Sequence, residues 1–292
     1  MRDSELQDFC RQLGIPGFAD VHVHFMPERV LRKVWAYFDA LPSPRWPIEY
    51  RLDQAARLEL LADLGVIRHT ALLYPHKAAM AEWLNSWGLA FAREVPNCVP
   101  TGTFFPEPGA AGYVRAGLAA GLRAFKAHVQ VGAYDPRDPL LDDVWGALAE
   151  AGVPVVCHCG SGPMPGRFTG PGPIGEVLAR HPSLTLVVAH LGQPEYAEFL
   201  ALAETYPNVH LDTTMTFTDF TEKLAPFPVA LRPRLRDQAD RIVLGTDYPN
   251  IPYPYAHQIE SLVRLDLGDD WLRRVLHENG ARLLSPASTP AS

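Results

Sequence analysis

FADVHVHFMP, residues 18–27, alternates histidine with valine and ends at Met26-Pro27. Valine-rich alternation with a period of two marks a β-strand. Read that way, the segment sends Phe18, Asp20, His22 and His24 to one face and Ala19, Val21 and Val23 to the other. The valines suit a layer of helices; the polar set suits an enclosed interior. His22 and His24 then stand roughly 6–7 Å apart on one face, close enough for both rings to reach one metal ion. A lone inward histidine is more often a hydrogen-bonded core residue. The pair therefore gains meaning only if other strands bring matching groups to the same place.

Seven further runs read as strands: RHTALLYP (68–75), CVPTGTFF (98–105), LRAFKAHV (122–129), PVVCHCG (154–160), TLVVAHLG (185–192), VHLDTTM (209–215) and RIVLGTDYP (241–249). Helical patterns separate them, around 51–64, 78–94, 109–120, 139–151, 172–181, 194–205, 230–238 and 255–265. Strand–helix alternation demands parallel strands joined by crossovers. Eight such units in about 250 residues predict an α/β protein with a (β/α)8 TIM barrel. A doubly wound sheet usually carries a Gly-rich turn after its first strand, and here FMPERV follows instead. One domain over residues 1–284 is expected, with extra helices at 4–13 and 268–284 and a disordered tail, SPASTPAS, at 285–292. The connection at 25–50 is too long for a turn and holds Trp35, Tyr37, Phe38, Trp46 and Tyr50 with Arg29, Arg32 and Arg45. It reads either as a lid-like insertion over an active site, or as a helical insertion packing on itself or on another subunit.

Composition narrows the function classes. The 292 residues carry a formal charge of -7, which gives no basic field for nucleic acid. No apolar run approaches the length of a membrane helix. The opening MRDSELQDFCRQLG lacks the apolar stretch of a signal peptide, so a soluble cytoplasmic protein is expected. Cys10, Cys98, Cys157 and Cys159 are too few and scattered for a disulfide scaffold, and Cys157 and Cys159, flanking a histidine on one strand, read as small hydrophobes facing a helix layer.

The same alternation, applied to the other strands, turns His158 inward with Val156, His190 with Val188, and Asp247 with Val243 and Gly245. All lie toward the C-terminal ends of their strands, where barrel active sites are built. The spaced set, unlike the short His-x-His alone, is a strong signal for an N/O metal site suited to Zn²⁺ and also to Mn²⁺, Fe²⁺ or Co²⁺.

From DVHVHFMP through VVCHCGSG, LVVAHLGQPE and YPNVHLDTT to VLGTDYPN and the closing ENGARLL, the chain resembles the amidohydrolase superfamily. It is most similar to the amidohydrolase-related (amidohydrolase 2) branch, whose members include metal-dependent hydrolases and decarboxylases similar to aminocarboxymuconate semialdehyde decarboxylase. The resemblance implies one divalent ion, most simply Zn²⁺, with His22, His24 and His158 as ligands and Asp247 ligating it or contacting the attacking water. His190 would polarise substrate or move a proton. Binuclear relatives carbamylate a strand-four lysine, which points at Lys126; the simpler reading pairs Lys126 with Asp20 or Asp212 inside the barrel. Asp212 could instead support a ligand from behind.

His128, one step nearer the mouth than Lys126, His76 after the second strand, and Trp46 in the insertion are candidate substrate contacts. His69, His181, His257 and His277 read as solvated or capping. The resemblance implies metal-activated hydrolysis of a small amide, lactone or other ester, with Asp247 and His190 as the catalytic pair. The alternative is decarboxylation of an unsaturated or aromatic acid, for which Arg45, Arg51 and Arg167 are candidate carboxylate holders. A third reading is a metal-binding barrel without catalysis. A small-molecule substrate and a second copy of the chain, as a dimer, are the expected partners.

Overall fold

The computed structural model describes residues 1–285, so the expected tail lies, beyond Ser285, outside the described residues. Eight parallel strands alternate with helices. They are β1 (Phe18–Asp20), β2 (Val66–Thr70), β3 (Cys98–Val99 and Thr101–Thr103), β4 (Ala124–His128), β5 (Val155–His158), β6 (Leu186–Val188), β7 (Val209–Asp212) and β8 (Ile242–Val243). β3 falls into two pieces because Pro100 has no N–H to donate. Its first half pairs with β2 and its second with β4. The ladder runs on in order to β8. It then returns to the start: Val21 N donates to Leu244 O at 2.9 Å, Asp247 N to His22 O at 2.8 Å and His24 N to Tyr248 O at 2.7 Å. The last strand thus bonds to the first, and the fold is the expected (β/α)8 barrel.

Alternation fills two layers. Val21, Leu72, Val99, Ala124, Val156, Val187 and Val243, nearly one from each strand, form the lumen, with Leu284 from the chain's end packed among them. Their neighbours Phe125, Cys157, Leu186, Val188, Leu211, Ile242 and Leu244 join the core under the helices, with Val144, Leu148, Ile174 and Val177. All four cysteines are buried and unpaired. Cys157 and Cys159 lie in the outer layer, as expected of small hydrophobes.

Two facings differ from strict alternation. On β1, Val21 belongs to the lumen, whereas Phe18 packs 6.1 Å from Tyr255 in the helix layer. Asp20 also faces outward: its Oδ2 accepts from Thr246 Oγ1 (2.6 Å) and Tyr255 OH (2.9 Å). The cause is local. Asp20 Oδ1 accepts from the backbone N–H of His22 at 3.0 Å, a short Asx link that bends the strand. Val21 and His22 then both turn inward. On β6 the lumen residue is Val187 rather than Val188. His190 reaches the interior because the chain turns there, with φ 57° at His190 and 48° at Leu191.

The helices run close to their expected positions, from Gln54–Asp63 to Tyr255–Val263, with terminal additions at Leu6–Leu13 and Asp269–Leu283 in three pieces. Among the described residues, no helix is long and apolar enough to cross a membrane. Two histidines away from the barrel mouth are held in neutral form: His69, buried rather than solvated as expected, and half-buried His210. Burial pushes His69 down to about 4, and burial together with Arg241 and Arg282 does the same to His210. Each takes up a proton in the unfolded chain near its ordinary value but resists it when folded. Their contribution is therefore intact above pH about 6.5 and is lost as pH falls toward about 4. The melting temperature of the metal-free protein should drop across that window; a flat profile there would contradict the assignment.

Candidate active site

β1 and the turn after β8 place three acceptor atoms together. One ligand atom each from His22, His24 and Asp247 lies within 4.8 Å of the others. The His22 and His24 ring centroids are 5.1 Å apart. Asp247 Oδ1 stands 2.8 Å from His24 Nε2 and 3.6 Å from His22 Nε2. Asp247 reaches this position through a left-handed backbone, φ 73°. A non-glycine residue held there signals a functional constraint more than a folding preference.

The partners of the rings fix their tautomers. His22 Nδ1 donates to Asp212 Oδ2 at 2.8 Å, and His24 Nδ1 donates to Leu72 O at 3.0 Å. Both Nε2 lone pairs therefore face the carboxylate. Burial works to raise the Asp212 and Asp247 carboxyls, but imidazole neighbours outweigh it, led by His22 for Asp212 and His24 for Asp247, and hold both well below the usual range. Burial, then Lys126, pushes His22 down to about 4, so its ring is neutral at pH 7. Two acceptors facing each other at 2.8 Å repel unless a cation is shared between them. Two imidazole nitrogens and an ionised carboxylate, with the His22 proton held from behind by Asp212, fit a divalent ion.

The other expected groups surround this trio. His190 donates its Nδ1 proton to Thr214 O at 3.1 Å, while Asp212 Oδ1 accepts from His190 N at 2.8 Å. Its Nε2 is thus a free acceptor, suited to taking a proton. Burial pushes the ring down to about 4, and it sits 5.4 Å from His22 and 4.7 Å from His158, centroid to centroid. His158 lies beside the trio, outside the three-residue group; its Nε2 donates to Gly162 O at 2.9 Å, leaving Nδ1 as the acceptor. His128 stacks on His158 at 4.2 Å, and its Nδ1 accepts from Val131 N at 3.3 Å. Lys126, 1% exposed, is bonded neither to Asp20 nor to Asp212; its Nζ instead meets His22 Nε2 at 3.0 Å. The bend that turns Asp20 outward removes one expected partner, and His22 occupies the facing oxygen of the other.

A cavity of about 460 Å³ opens over these groups. Its far wall is the insertion. Helix Glu28–Asp39 buries Val30, Leu31 and Val34 against Leu73, Tyr74 and Leu84. Lys33, Tyr37 and Phe38 of the same helix line the cavity, together with the edge of Val34, with Leu41 just beyond the helix and with Trp46. The insertion thus forms part of the cavity wall. Trp46 and His76 line the cavity, as does His128. Arg45 and Arg167 are exposed and do not, and Arg167 lies over Phe168 instead. Arg51 is taken up by Asp39. Alternation could not place loop arginines, because their direction depends on turns rather than on period. Sequence reasoning missed Lys33, Tyr74, Gln130, Met164 and Asn250. Of these, Lys33 carried a usable signal, lying one turn before Tyr37 on an amphipathic helix.

Asn250 ties the insertion to the strand-eight loop. Its Oδ1 accepts from Trp35 Nε1 at 3.0 Å and its backbone O from Trp46 Nε1 at 2.6 Å. Asn250→Ala removes the first bond and spares the second. A stability loss of about 1 kcal/mol is expected, with faster proteolysis inside residues 25–50. Unchanged cleavage there would mean that the insertion is held without Asn250.

A family model described as amidohydrolase matches residues 19–285. Among solved structures, an uncharacterised TIM-barrel protein from Bordetella bronchiseptica aligns with a TM-score of 0.73 at 21% identity, over 91% of this chain and 98% of its own. A 5-carboxyvanillate decarboxylase from Novosphingobium aromaticivorans, complexed with manganese and a nitrobenzoic acid, aligns at 0.63 and 14%, over 94% and 97%. A probable 2-pyrone-4,6-dicarboxylic acid hydrolase from Acinetobacter baumannii, with citric acid bound, aligns at 0.62 and 13%, over 92% and 99%. At such identities these structures speak to the fold. A search of curated proteins finds no match.

Proposed function

The chain belongs to the amidohydrolase family, and we propose that it is a metal-dependent hydrolase cleaving a lactone, another ester or an amide of a small molecule. One observation carries the reading: His22 Nε2, His24 Nε2 and Asp247 Oδ1 converge as acceptors while both imidazole protons are held elsewhere. A divalent ion held there, Zn²⁺ by preference and Mn²⁺, Fe²⁺ or Co²⁺ by the same donor chemistry, supplies Lewis acidity and a nucleophile at neutral pH. His158 is the candidate further ligand through Nδ1.

The chain's own groups do the rest. Asp247 orients and deprotonates the attacking water through the oxygen not engaged with His24. His190, with its Nε2 lone pair free, receives that proton from Asp247 and delivers it to the leaving group, which restores both residues. Lys126, whose pKa burial lowers, brings N–H donors into the cavity that can stabilise negative charge on the substrate oxygen. Trp46, Phe38 and Tyr74 give the body of the substrate an apolar bed.

Decarboxylation remains the second reading, favoured by Lys126, since a buried amine N–H donor in the cavity can hold a carboxylate. Product analysis separates them. A panel of lactones, aryl esters and amides, run beside aromatic and dienoic acids with metal-loaded protein, should yield hydrolysis. CO₂ release from the acids, with no hydrolysis, overturns the proposal.

A further inference from the structure

We propose, building on the hydrolase reading above, that the substrate carries a carboxylate remote from its scissile bond and that Lys33 receives it at the cavity rim. Lys33 sits on the exposed edge of the insertion helix and lines the cavity. The acids of its own helix are engaged elsewhere, Glu28 by Arg32 at 3.3 Å and Asp39 by Arg51. Among the described residues no carboxylate lies within ion-pair distance of Lys33. Its charge reaches into the cavity: burial first, and then Lys33, lowers the pKa of His76, which lines the same cavity.

The balance of charge points the same way. Asp247 is the only carboxylate among the lining residues, and it is turned to the histidine pair. Lys33 together with a divalent ion therefore leaves the cavity net positive, in a chain whose formal charge is -7. An electropositive, low-dielectric cleft in an acidic protein concentrates anions. The shape adds the second requirement. Phe38, Trp46 and Tyr74 line the cavity that the deep histidines and Lys33 share, and they suit an aryl or alkyl body. The substrate class is an aryl or alkyl ester or lactone with a terminal carboxylate.

Calorimetric titration of metal-loaded protein with phenylbutyrate and with phenylbutanamide tests the assignment without turnover. Wild type should bind the carboxylate about fivefold more tightly than the amide, the scale of one rim ion pair. The preference should shrink with added salt, vanish in Lys33→Met and survive in Lys33→Arg. Lys33 is exposed, so Lys33→Met should fold as wild type does. A preference that persists in Lys33→Met, or a wild type that shows none or binds neither probe, overturns the inference. The reaction is judged separately. Turnover of esters without any gain from a remote carboxylate leaves the hydrolase standing and overturns the role of Lys33. Fivefold carboxylate preference with no hydrolysis does the reverse.

Discussion

Alanine in place of His22 is expected to weaken divalent-metal binding by at least about 100-fold and to abolish turnover, while the barrel remains folded. The ring supplies one of three converging donors and is itself fixed by Asp212, whose Oδ1 also accepts from His190 N and Thr214 N. Removing the ligand is more damaging than removing its support. Asp212→Asn should therefore cost about 10–100-fold in metal affinity, the range typical of a partner behind a ligating histidine. The asparagine can still accept one bond, but its amide can turn the His22 tautomer around and put a proton on the atom that must ligate. Metal content after dialysis against a graded chelator series measures both effects. A wild type that retains no divalent ion, or His22→Ala that retains as much as wild type, would remove the basis for metal-assisted chemistry. Equal loss in both variants would mean that Asp212 is a ligand rather than a support.

The eight strands and their helices are legible in the sequence because buried parallel strands are short, apolar and bounded by breakers, and that pattern survives any detail of packing. The gathering of His22, His24, His190 and Asp247 is legible for the same reason: each ends a strand, and strand ends share one rim. Legibility stops where the chain leaves strict alternation. The bend at Asp20–His22 depends on a side chain bonding to a backbone two residues on. The inward turn of His190 depends on positive φ at two non-glycine residues. Neither leaves a mark in a period of two. The contact between Lys126 and His22 is lost to sequence for a different reason: it spans 104 positions and depends on which donor faces which acceptor. The insertion was visible as an insertion. Which of its cations faces the cavity was not, because Lys33 and Arg45 are equally polar and only the helix axis distinguishes them.

Gly245→Ala should disrupt both the packing and the metal site. A Cβ at Gly245 would stand 2.8 Å from His22 Cβ and 3.0 Å from Asp212 Cγ, and would collide with Thr214 Oγ1. None of these atoms is the free end of a flexible chain. His22 is held by its bond to Asp212, and Asp212 by two backbone N–H groups besides. Relief must come from moving the β8 backbone or from pushing His22 off Asp212, and either one displaces a metal donor. Overpacking of this kind costs about 1–3 kcal/mol, and the metal affinity should fall with it. Gly112 gives the internal comparison. It lies within helix Ala110–Ala120, and a Cβ there meets nothing within 4 Å. Gly112→Ala should raise stability by about 0.5–1 kcal/mol through helix propensity alone. Thermal melting of the two variants should thus move in opposite directions from wild type, and only Gly245→Ala should lose metal. If Gly245→Ala melts like wild type and keeps its full metal content, His22 and Asp212 are not wedged together as their contacts indicate, and the tautomer of His22 must be set by some other means.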